Sequence, residues 1–407
     1  MQVLKLSESD KIQISIWGYF RRSFYIIVLT LYSFLYSCVD RYHLENEIKL
    51  EPKIVIDALI TNKENSQCIV ISLTTSPEFL RYTPLSGCFV KITDDKGNIF
   101  EFNEKSSKKG YYYGTIPQEY FLTNSTFLLE FETPEGEKYV STTEKLYPCP
   151  EVGLVYSEIE YRPTREPNIT EDGIQFYTDF MGSESVGNYF RIELTETWEY
   201  HSTFPITSYI DTNNVFHDLP IDYSRYTCYN TKKIDEIFLI KTNDLKLNQY
   251  DRFPLQFVND HSQRLMYRYS LLVEQFSLSE SAYKYWSFLK ENYDNDGMFG
   301  IQPLNALSNI KNINKPNEEI LGYFSVSQVK SKRFFVNAIL DFFYSEVVPC
   351  SVTVPVGFLP PKRPLYFASE FDPKTQRNKS GYANSECFDC TLKGGTTIIP
   401  DFWKNTK

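Results

Sequence analysis

Short β-strand patterns separated by turn sequences fill the first part of this 407-residue chain. Residues 53–62 (KIVIDALITN) and 68–76 (CIVISLTTS) are rich in β-branched residues and flank the polar turn KENSQ. CFVKITD and IFEFN flank the turn DKGN, and TFLLEFE is followed by the turn PEGE. Regularly spaced strands without a long helical pattern predict an immunoglobulin-like β-sandwich over residues 53–147.

A second β-rich domain is predicted over residues 148–348, with one inserted amphipathic helix near 278–294. Ser277 and Glu280 fit a capping box at its start, and Asp296-Gly297 is expected to end it. The apolar residues at helical spacing are Leu278, Ala282, Tyr285, Trp286, Leu289 and Tyr293.

The aromatic stripe of this helix has two interpretations. Tyr285, Trp286 and Leu289 could form a ligand platform, since aromatic rings often stack on sugars or peptides. The favoured interpretation is that they form the buried face of the helix, with Tyr283 and Lys284 exposed on the other side.

Residues 1–37 predict a lipoprotein signal peptide. Arg21 and Arg22 precede an apolar run from Ser23 to Ser37, which is shorter than the roughly 20 residues that a membrane-spanning helix needs. Leu35-Tyr36-Ser37-Cys38 resembles the bacterial lipobox, in which the cysteine thiol is acylated and becomes the new N-terminus. We therefore expect Cys38 to be lipidated and residues 38–52 to form a polar tether. The alternative is a signal-anchor helix that contains a cysteine by chance.

The charge of the chain argues against some partners. The formal charge is -10, and residues 1–37 carry four Lys or Arg against two Asp or Glu, so the processed protein is more acidic still. Nucleic acid and an anionic membrane surface are therefore not expected as electrostatic partners. Aromatic residues make up 16% of the chain, a content that suits β-sheet surfaces and wet binding faces.

The cysteines indicate an oxidising compartment. Eight are present, so seven remain if Cys38 is acylated, and at least one of these must be free or paired between chains. The motif Cys387-Phe388-Asp389-Cys390 lies in a tail, residues 349–407, that is rich in Pro, Gly, Ser and Cys and is expected to form ordered loops. Disulfides from Cys387 or Cys390 to Cys350 or Cys228 are favoured, and a direct Cys387–Cys390 bond ranks second. Zinc binding and redox catalysis are the less favoured alternatives.

Catalytic motifs are not evident in the sequence. It contains no G-x-S-x-G elbow, H-E-x-x-H, phosphate loop or G-x-G-x-x-G, and no cofactor is expected. The acidic run Glu130, Glu132, Glu135 and Glu137 predicts a solvated strand edge and turn. Calcium binding there is the alternative, and it lacks support because the spacing does not contain the Asp/Asn-Gly loop of calcium sites.

Several sequence blocks, taken in order, resemble a Bacteroidetes lipoprotein family, the domain of unknown function DUF4249. They are IDALITN, VKITDDKGN, YSLLVEQFSLSESAYKYWSFLKENYDNDGMFGIQP, ILGYFSVSQVKSKRFFV and ECFDCTLKGGTTIIPDFW. The resemblance implies an outer-membrane lipoprotein, on the cell surface or the periplasmic face, often encoded beside a TonB-dependent receptor.

Three functions are therefore considered. The first is a non-enzymatic accessory lipoprotein that helps a TonB-dependent transporter to capture or gate a nutrient, an unknown small ligand. The second is a surface structural or adhesion lipoprotein that uses the immunoglobulin-like domain for contacts. The third, least favoured, is a hydrolase with an unrecognised site, which clustered buried carboxylates would support.

Overall fold

A computed structural model of the chain describes residues 52–75, 81–164, 170–182, 187–243, 245, 248–294, 308–339, 342, 344 and 350–404. Residues 52–407 form one compact unit. Within the described residues the fold is built from strands, with one helix of several turns, which confirms the predicted mainly β class. None of the described helices is long and apolar enough to cross a membrane.

The helices and strands have the following bounds in chain order. The strands are β1 (Ile54–Thr61), β2 (Ser66–Leu73), β3 (Thr83–Pro84), β4 (Phe89–Asp94), β5 (Ile99–Glu104), β6 (Tyr111–Thr115), β7 (Thr126–Glu132), β8 (Lys138–Ser141), β9 (Glu144–Lys145), β10 (Val155–Pro163), β11 (Thr170–Met181), β12 (Tyr189–His201), β13 (Ile206–Ile210), β14 (Phe216–Asp222), β15 (Thr227–Lys233), β16 (Phe238–Lys241), β17 (Gln249–Asn259), β18 (Tyr269–Ser277), β19 (Ile310–Asn312), β20 (Leu321–Ser327), β21 (Val329–Val336), β22 (Leu365–Asp372) and β23 (Arg377–Ala383). The helices are α1 (Glu280–Asp294) and α2 (Asp401–Lys404), and short 3-10 turns lie at Gln118–Tyr120, Gln263–Leu265, Ser385–Cys387 and Cys390–Lys393.

The first sandwich is an 11-stranded sheet that folds over one apolar core. Its strand order is β19-β8-β7-β4-β5-β6-β2-β1-β20, with β3 beside β2 and β9 beside β7. Side chains that alternate along β1 and β2, such as Ile56, Ile60 and Ile69, face Val90, Ile92 and Leu129 from the other side of the same core. The strands predicted at residues 53–62, 68–76 and 88–103 are all present.

The second sandwich packs two smaller sheets against each other. The strand orders are β10-β11-β17 and β15-β12-β18-β21, with β16 beside β12. Phe176 and Phe180 of β11 lie in one core with Phe190 of β12 and Val273 of β18. Strands β12 and β18 pair over Phe190–Trp198, and because β18 is buried almost throughout and no residue of β12 is exposed, they form the centre of this sandwich.

The two sandwiches share a chain segment and are hydrogen-bonded to each other. Strand β20 pairs in parallel with β1 in the first sandwich, and β21 follows it directly in the second. Gln328 lies between them, and its side-chain Oε1 accepts a 2.6 Å hydrogen bond from the Cys149 N–H. Gly322 has φ +92°, and a Cβ there would overlap the carbonyl oxygen of Ile56, so this approach of β20 to β1 requires glycine.

The sheet of the first sandwich takes strands from two separate parts of the chain. The sheet formed by residues 54–145 also takes β19 and β20, which come from within the range 148–348 expected for the second domain. The physical reason is an unsatisfied edge. Strand β1 would otherwise expose a full row of backbone donors and acceptors, and β20 covers that edge over seven residue pairs.

Helix α1 begins two residues later than its sequence pattern predicts. The Ser279 hydroxyl accepts a 3.1 Å hydrogen bond from the Ala282 N–H and is therefore the N-cap. Ser277 is the last residue of β18, and its hydroxyl donates to the Tyr147 carbonyl at 2.6 Å. The helix ends at Asp294, and Asp296-Gly297 lie outside the described residues.

A third group of strands forms what we call the C-terminal lobe, residues 206–223 and 350–399. Its four-stranded antiparallel sheet has the order β14-β13-β22-β23, so two strands come from the middle of the chain and two from the tail. The tail was expected to form loops, and the hairpin β22–β23, paired over Tyr366–Asp372, corrects that expectation. Its signal was present in the sequence as the alternation LYFASEFD followed by a DPKT turn.

Candidate interaction surface on the C-terminal lobe

Two cysteine pairs lie at bonding distance, one joining the C-terminal lobe to β15 of the second sandwich and one within the lobe. Cys228 of β15 pairs with Cys390, with Cα atoms 5.8 Å apart, and Cys350 pairs with Cys387, with Cα atoms 5.6 Å apart. Both links join cysteines that are distant in sequence, with separations of 162 and 37 residues. The direct Cys387–Cys390 bond is not formed. No group of three or more metal-ligating side chains occurs among the described residues.

Asp389, which lies between Cys387 and Cys390, connects this motif to Arg225 in the middle of the chain. Its buried carboxylate forms a 2.6 Å ion pair with Arg225 and caps the short turn at Cys390–Lys393 by accepting from the Thr391 N–H. Burial alone would raise the pKa of Asp389, but the hydrogen bonds from Thr391 and Arg225 outweigh it and hold the pKa below its ordinary value. The carboxylate therefore stays ionised and holds the segment in place.

Phe388 is the apolar centre of the motif. It is fully buried, and its ring packs on Tyr366 of β22 and on Phe204, with centroids 5.3 and 5.5 Å away. The indole of Trp403, near the chain end, packs on Tyr229 and Phe335. The C-x-x-C motif is therefore a packed cross-link in this fold, with no thioredoxin-like helix following it.

The outside of the lobe is unusually apolar. Among the described residues, 25 large apolar side chains are exposed, and 13 of them lie in the lobe, which is a small part of the chain. They are Val215, Phe216, Leu219, Ile221, Tyr223, Val354, Val356, Phe358, Leu359, Phe371, Leu392, Ile398 and Ile399. Concentrated exposed apolar surface of this kind marks sites of protein or membrane contact.

Part of this surface follows the outer strand of the lobe sheet. Strand β14 has β13 on one side and no neighbour on the other among the described strands. Leu219, Ile221 and Tyr223 are exposed at alternate positions in or just after this strand. Pro220 lies between them, which is the placement expected of proline in an outer strand because it cannot donate to a further strand.

A second part, which we call the lobe tip, consists of residues 213–216 and 354–363. Arg363 joins its two loops, because its Nε donates a 2.9 Å hydrogen bond to the Asn214 side chain while its Nη1 donates to the Pro360 carbonyl. The apolar residues flanking these contacts include Phe358 and Val215, which are 101% and 51% exposed. Sequence reasoning missed the tip, although the run VPVGFLPPKR contains apolar residues between turn-forming Pro and Gly.

The aromatic stripe of α1 packs against the second sandwich and β20 and is half-buried. Trp286 is half-buried and covers the guanidinium of the buried Arg191, and Tyr285 stacks on Tyr323 of β20 at 5.0 Å. Tyr283 was expected to be exposed, but it is half-buried against Tyr189 of β12. Lys284 is exposed, as expected, and pairs with Glu280.

Several of the described carboxylates are engaged in structural contacts. In the acidic run, Glu130 pairs with Lys91 at 2.8 Å and Glu137 with Lys315 at 2.8 Å. Glu144 lies on β9, next to the strand that carries Glu130 and Glu132. Its buried carboxylate accepts hydrogen bonds from Ser279, Asn309 and Tyr323. This network joins the N-terminus of α1 to the first sandwich. Cys38, the predicted lipidation site, lies outside the described residues.

The fold and these contacts define a mainly β protein of two joined sandwiches, with a cross-linked lobe that presents apolar side chains. The family model for a domain of unknown function, DUF4249, matches residues 41–333, and the chain belongs to this family. No curated protein matches the chain.

Two solved structures show distant similarity. One is trypsin-activated alpha-2-macroglobulin from Escherichia coli, with 9% identity and a TM-score of 0.18 over 56% of this chain and 15% of that one. The other is the tetra-tandem repeat in the extending region of a large adhesion protein, with 12% identity and a TM-score of 0.16 over 56% of this chain and 45% of that one. This chain thus spans less than half the length of either, and such low scores transfer neither fold nor function.

Proposed function

We propose that this chain is a non-enzymatic, lipid-anchored outer-membrane protein that works beside a TonB-dependent transporter in the capture or gating of a nutrient. The anchor is the acylated Cys38 of the lipobox Leu35-Tyr36-Ser37-Cys38. The transporter is the partner that the family resemblance implies.

The observation that carries the proposal is the exposed apolar surface of the C-terminal lobe. A large part of an interface core is apolar and aromatic, and such residues are depleted on surfaces that face only water. The cross-links at Cys228–Cys390 and Cys350–Cys387 fix this surface in place, so little conformational entropy is lost when a partner binds. The outer strand β14 supplies the transporter contact in this proposal.

The test is co-purification of the protein with its transporter from native outer membranes. Ile221→Glu places a charge on the exposed outer strand, and Ile159→Glu places the same charge on the equally exposed β10 of the second sandwich. We expect Ile221→Glu to reduce recovery of a transporter with a TonB plug domain by roughly tenfold or more, since an unpaired charge in an interface costs several kcal/mol.

The control variant and the melting temperature separate this outcome from misfolding. Ile159→Glu should retain wild-type recovery, and both variants should melt as the wild type does because both side chains are exposed. Equal recovery with Ile221→Glu and wild type, or the absence of any such transporter in the wild-type sample, contradicts the proposal.

A further inference from the structure

The lobe tip has a composition that differs from the rest of the outer surface. Val356 and Phe358 are 92% and 101% exposed, more than any other large apolar side chain described. Gly357, at φ +81°, makes a turn between them that needs no Cβ. A phenyl ring that stays in water gains none of the favourable free energy that removing apolar surface from water provides, so binding of a partner that covers it would be stabilised.

The charge of the tip is opposite to that of the chain. Residues 213–216 and 354–363 contain Lys362 and Arg363 and no Asp or Glu, whereas the whole chain carries -10. Two acids of the hairpin flank residues 213–216: Asp211 is engaged within its own turn by the Val215 N–H and by His217, and Asp218 is exposed on β14. The tip therefore combines projecting apolar side chains with adjacent positive charge.

This combination matches the interface of a bilayer better than the surface of a protein partner. Apolar side chains enter the boundary between headgroups and acyl chains, while Lys and Arg remain at the level of the lipid phosphates. Each basic residue close to an anionic surface adds about 1 kcal/mol of attraction. We propose that the lobe tip inserts into a bilayer that contains anionic phospholipid.

The length of the tether allows this contact. The inference rests on the proposed function, because the bilayer is the one that holds acylated Cys38. Residues 39–52 span at most about 45–50 Å when extended. A compact unit of this length has a radius of gyration of about 20 Å, so the tether lets the membrane meet most faces of the protein.

The test places an environment-sensitive fluorophore on the tip of the full-length acylated protein. Phe358→Cys carries the probe at the tip, and Ile99→Cys carries it on the first sandwich, where the native side chain is also exposed. Wild type taken through the same labelling measures the background from Cys68, Cys88 and Cys149. The protein is bound to vesicles of phosphatidylethanolamine with phosphatidylglycerol, and brominated acyl chains serve as quenchers.

We expect a blue shift and quenching at position 358 and neither at position 99. In a second arm, Phe358→Asp should lower vesicle binding of protein that has not been acylated by roughly tenfold or more. Lys362→Glu and vesicles of phosphatidylcholine alone should each weaken the signal at 358. Equal signals at 358 and 99, an unchanged spectrum at 358 on vesicle-bound protein, or failure of the protein to float with vesicles overturns the proposal.

Insertion of the lobe tip and the proposed function are tested by different measurements, so either can fail without the other. Mass spectrometry of the mature N-terminus reports acylation of Cys38, and transporter recovery with Ile221→Glu reports the partner. Insertion at position 358 with unmodified Cys38 would support the tip and contradict the anchor. Acylation of Cys38 and recovery of the transporter without a signal at position 358 would support the proposed function and contradict insertion of the lobe tip.

Discussion

The guanidinium of Arg191 lies 3.8 Å from the centre of the Trp286 ring. Arg191 is buried in β12, where it also forms a 2.6 Å ion pair with Glu193. A buried cation needs both a counter-ion and a covering surface, and the indole supplies the second. The helix that carries Trp286 is therefore held to the second sandwich by electrostatics as well as by apolar packing.

Truncation of this ring should destabilise the protein. For Trp286→Ala we expect a loss of about 2–4 kcal/mol in the free energy of unfolding, less than for a fully buried ring because Trp286 is half-buried. Trp286→Phe keeps an aromatic face over Arg191 and should lose less. Chemical denaturation of the three proteins measures this. An unchanged midpoint for Trp286→Ala, accompanied by loss of a bound ligand or partner, would favour the platform interpretation.

The cysteine pairing can be read directly by non-reducing peptide mapping of the protein isolated from its native cells. We expect the peptides of Cys228 and Cys390 to be linked, and those of Cys350 and Cys387. In the chain-entropy model, links that close loops of this size contribute roughly 4–5 kcal/mol each. Cys350→Ser should therefore lower stability much more than Cys68→Ser, which breaks no bridge. Free thiols at both Cys387 and Cys390, or stoichiometric zinc at them, would contradict the pairing.

Glu144 should give the protein a characteristic pH dependence. Burial raises its pKa above the ordinary value of 4.5, although Ser279, Tyr323 and Asn309 donate hydrogen bonds to it. The folded protein therefore holds a proton that the unfolded chain has already released. The stability from this group is largest below pH 4.5 and is lost as the pH rises through the folded pKa.

Substitution of this residue tests that dependence. We expect wild type to gain stability relative to Glu144→Gln as the pH falls from neutral toward 4.5, measured by urea denaturation at several pH values. Glu135→Gln, in an exposed turn, is the control and should track wild type. Parallel pH curves for wild type and Glu144→Gln would show that the carboxyl titrates alike in the folded and unfolded states.

Membrane attachment should depend on the sulfur of Cys38. Each methylene of an acyl chain that enters the bilayer contributes about 0.8 kcal/mol, so several chains make an effectively permanent anchor. We expect Cys38→Ala to be released from the membrane or to persist as an unprocessed precursor. Labelling of cells with an alkyne fatty acid should tag wild type and leave Cys38→Ala untagged. Equal tagging would contradict lipidation at this residue.

Local sequence patterns predict the strands of the first sandwich well, because period-2 alternation and turn residues are local properties. They also place the helix, but choose Ser277 as its cap. Ser277 and Ser279 flank Leu278 at the start of the apolar stripe, and only the tertiary bonds of Ser277 to Tyr147 and Gln328 remove it from the capping role. The choice between two nearby capping serines therefore depends on contacts that are distant in sequence.

The lobe is the least predictable part for a related reason. Its sheet pairs β13, from the middle of the chain, with β22, from the tail, so no local turn signals their contact. The hairpin β22–β23 carries a recognisable alternation, but the surrounding Pro, Gly and Cys residues favour loops on composition alone. The cysteine motif indicated a long-range link, and only the fold selects the partner of each sulfur.

The parallel pairing of β1 with β20 has a consequence for how the protein is made. Strand β1 is the first of the described strands to be synthesised, and its outer edge is covered only after residues 321–327 have been made. During that interval an apolar strand with free backbone groups is open to pairing with other chains. A chain that stops before residue 321 would retain that open edge, so incomplete chains should aggregate more readily than complete ones.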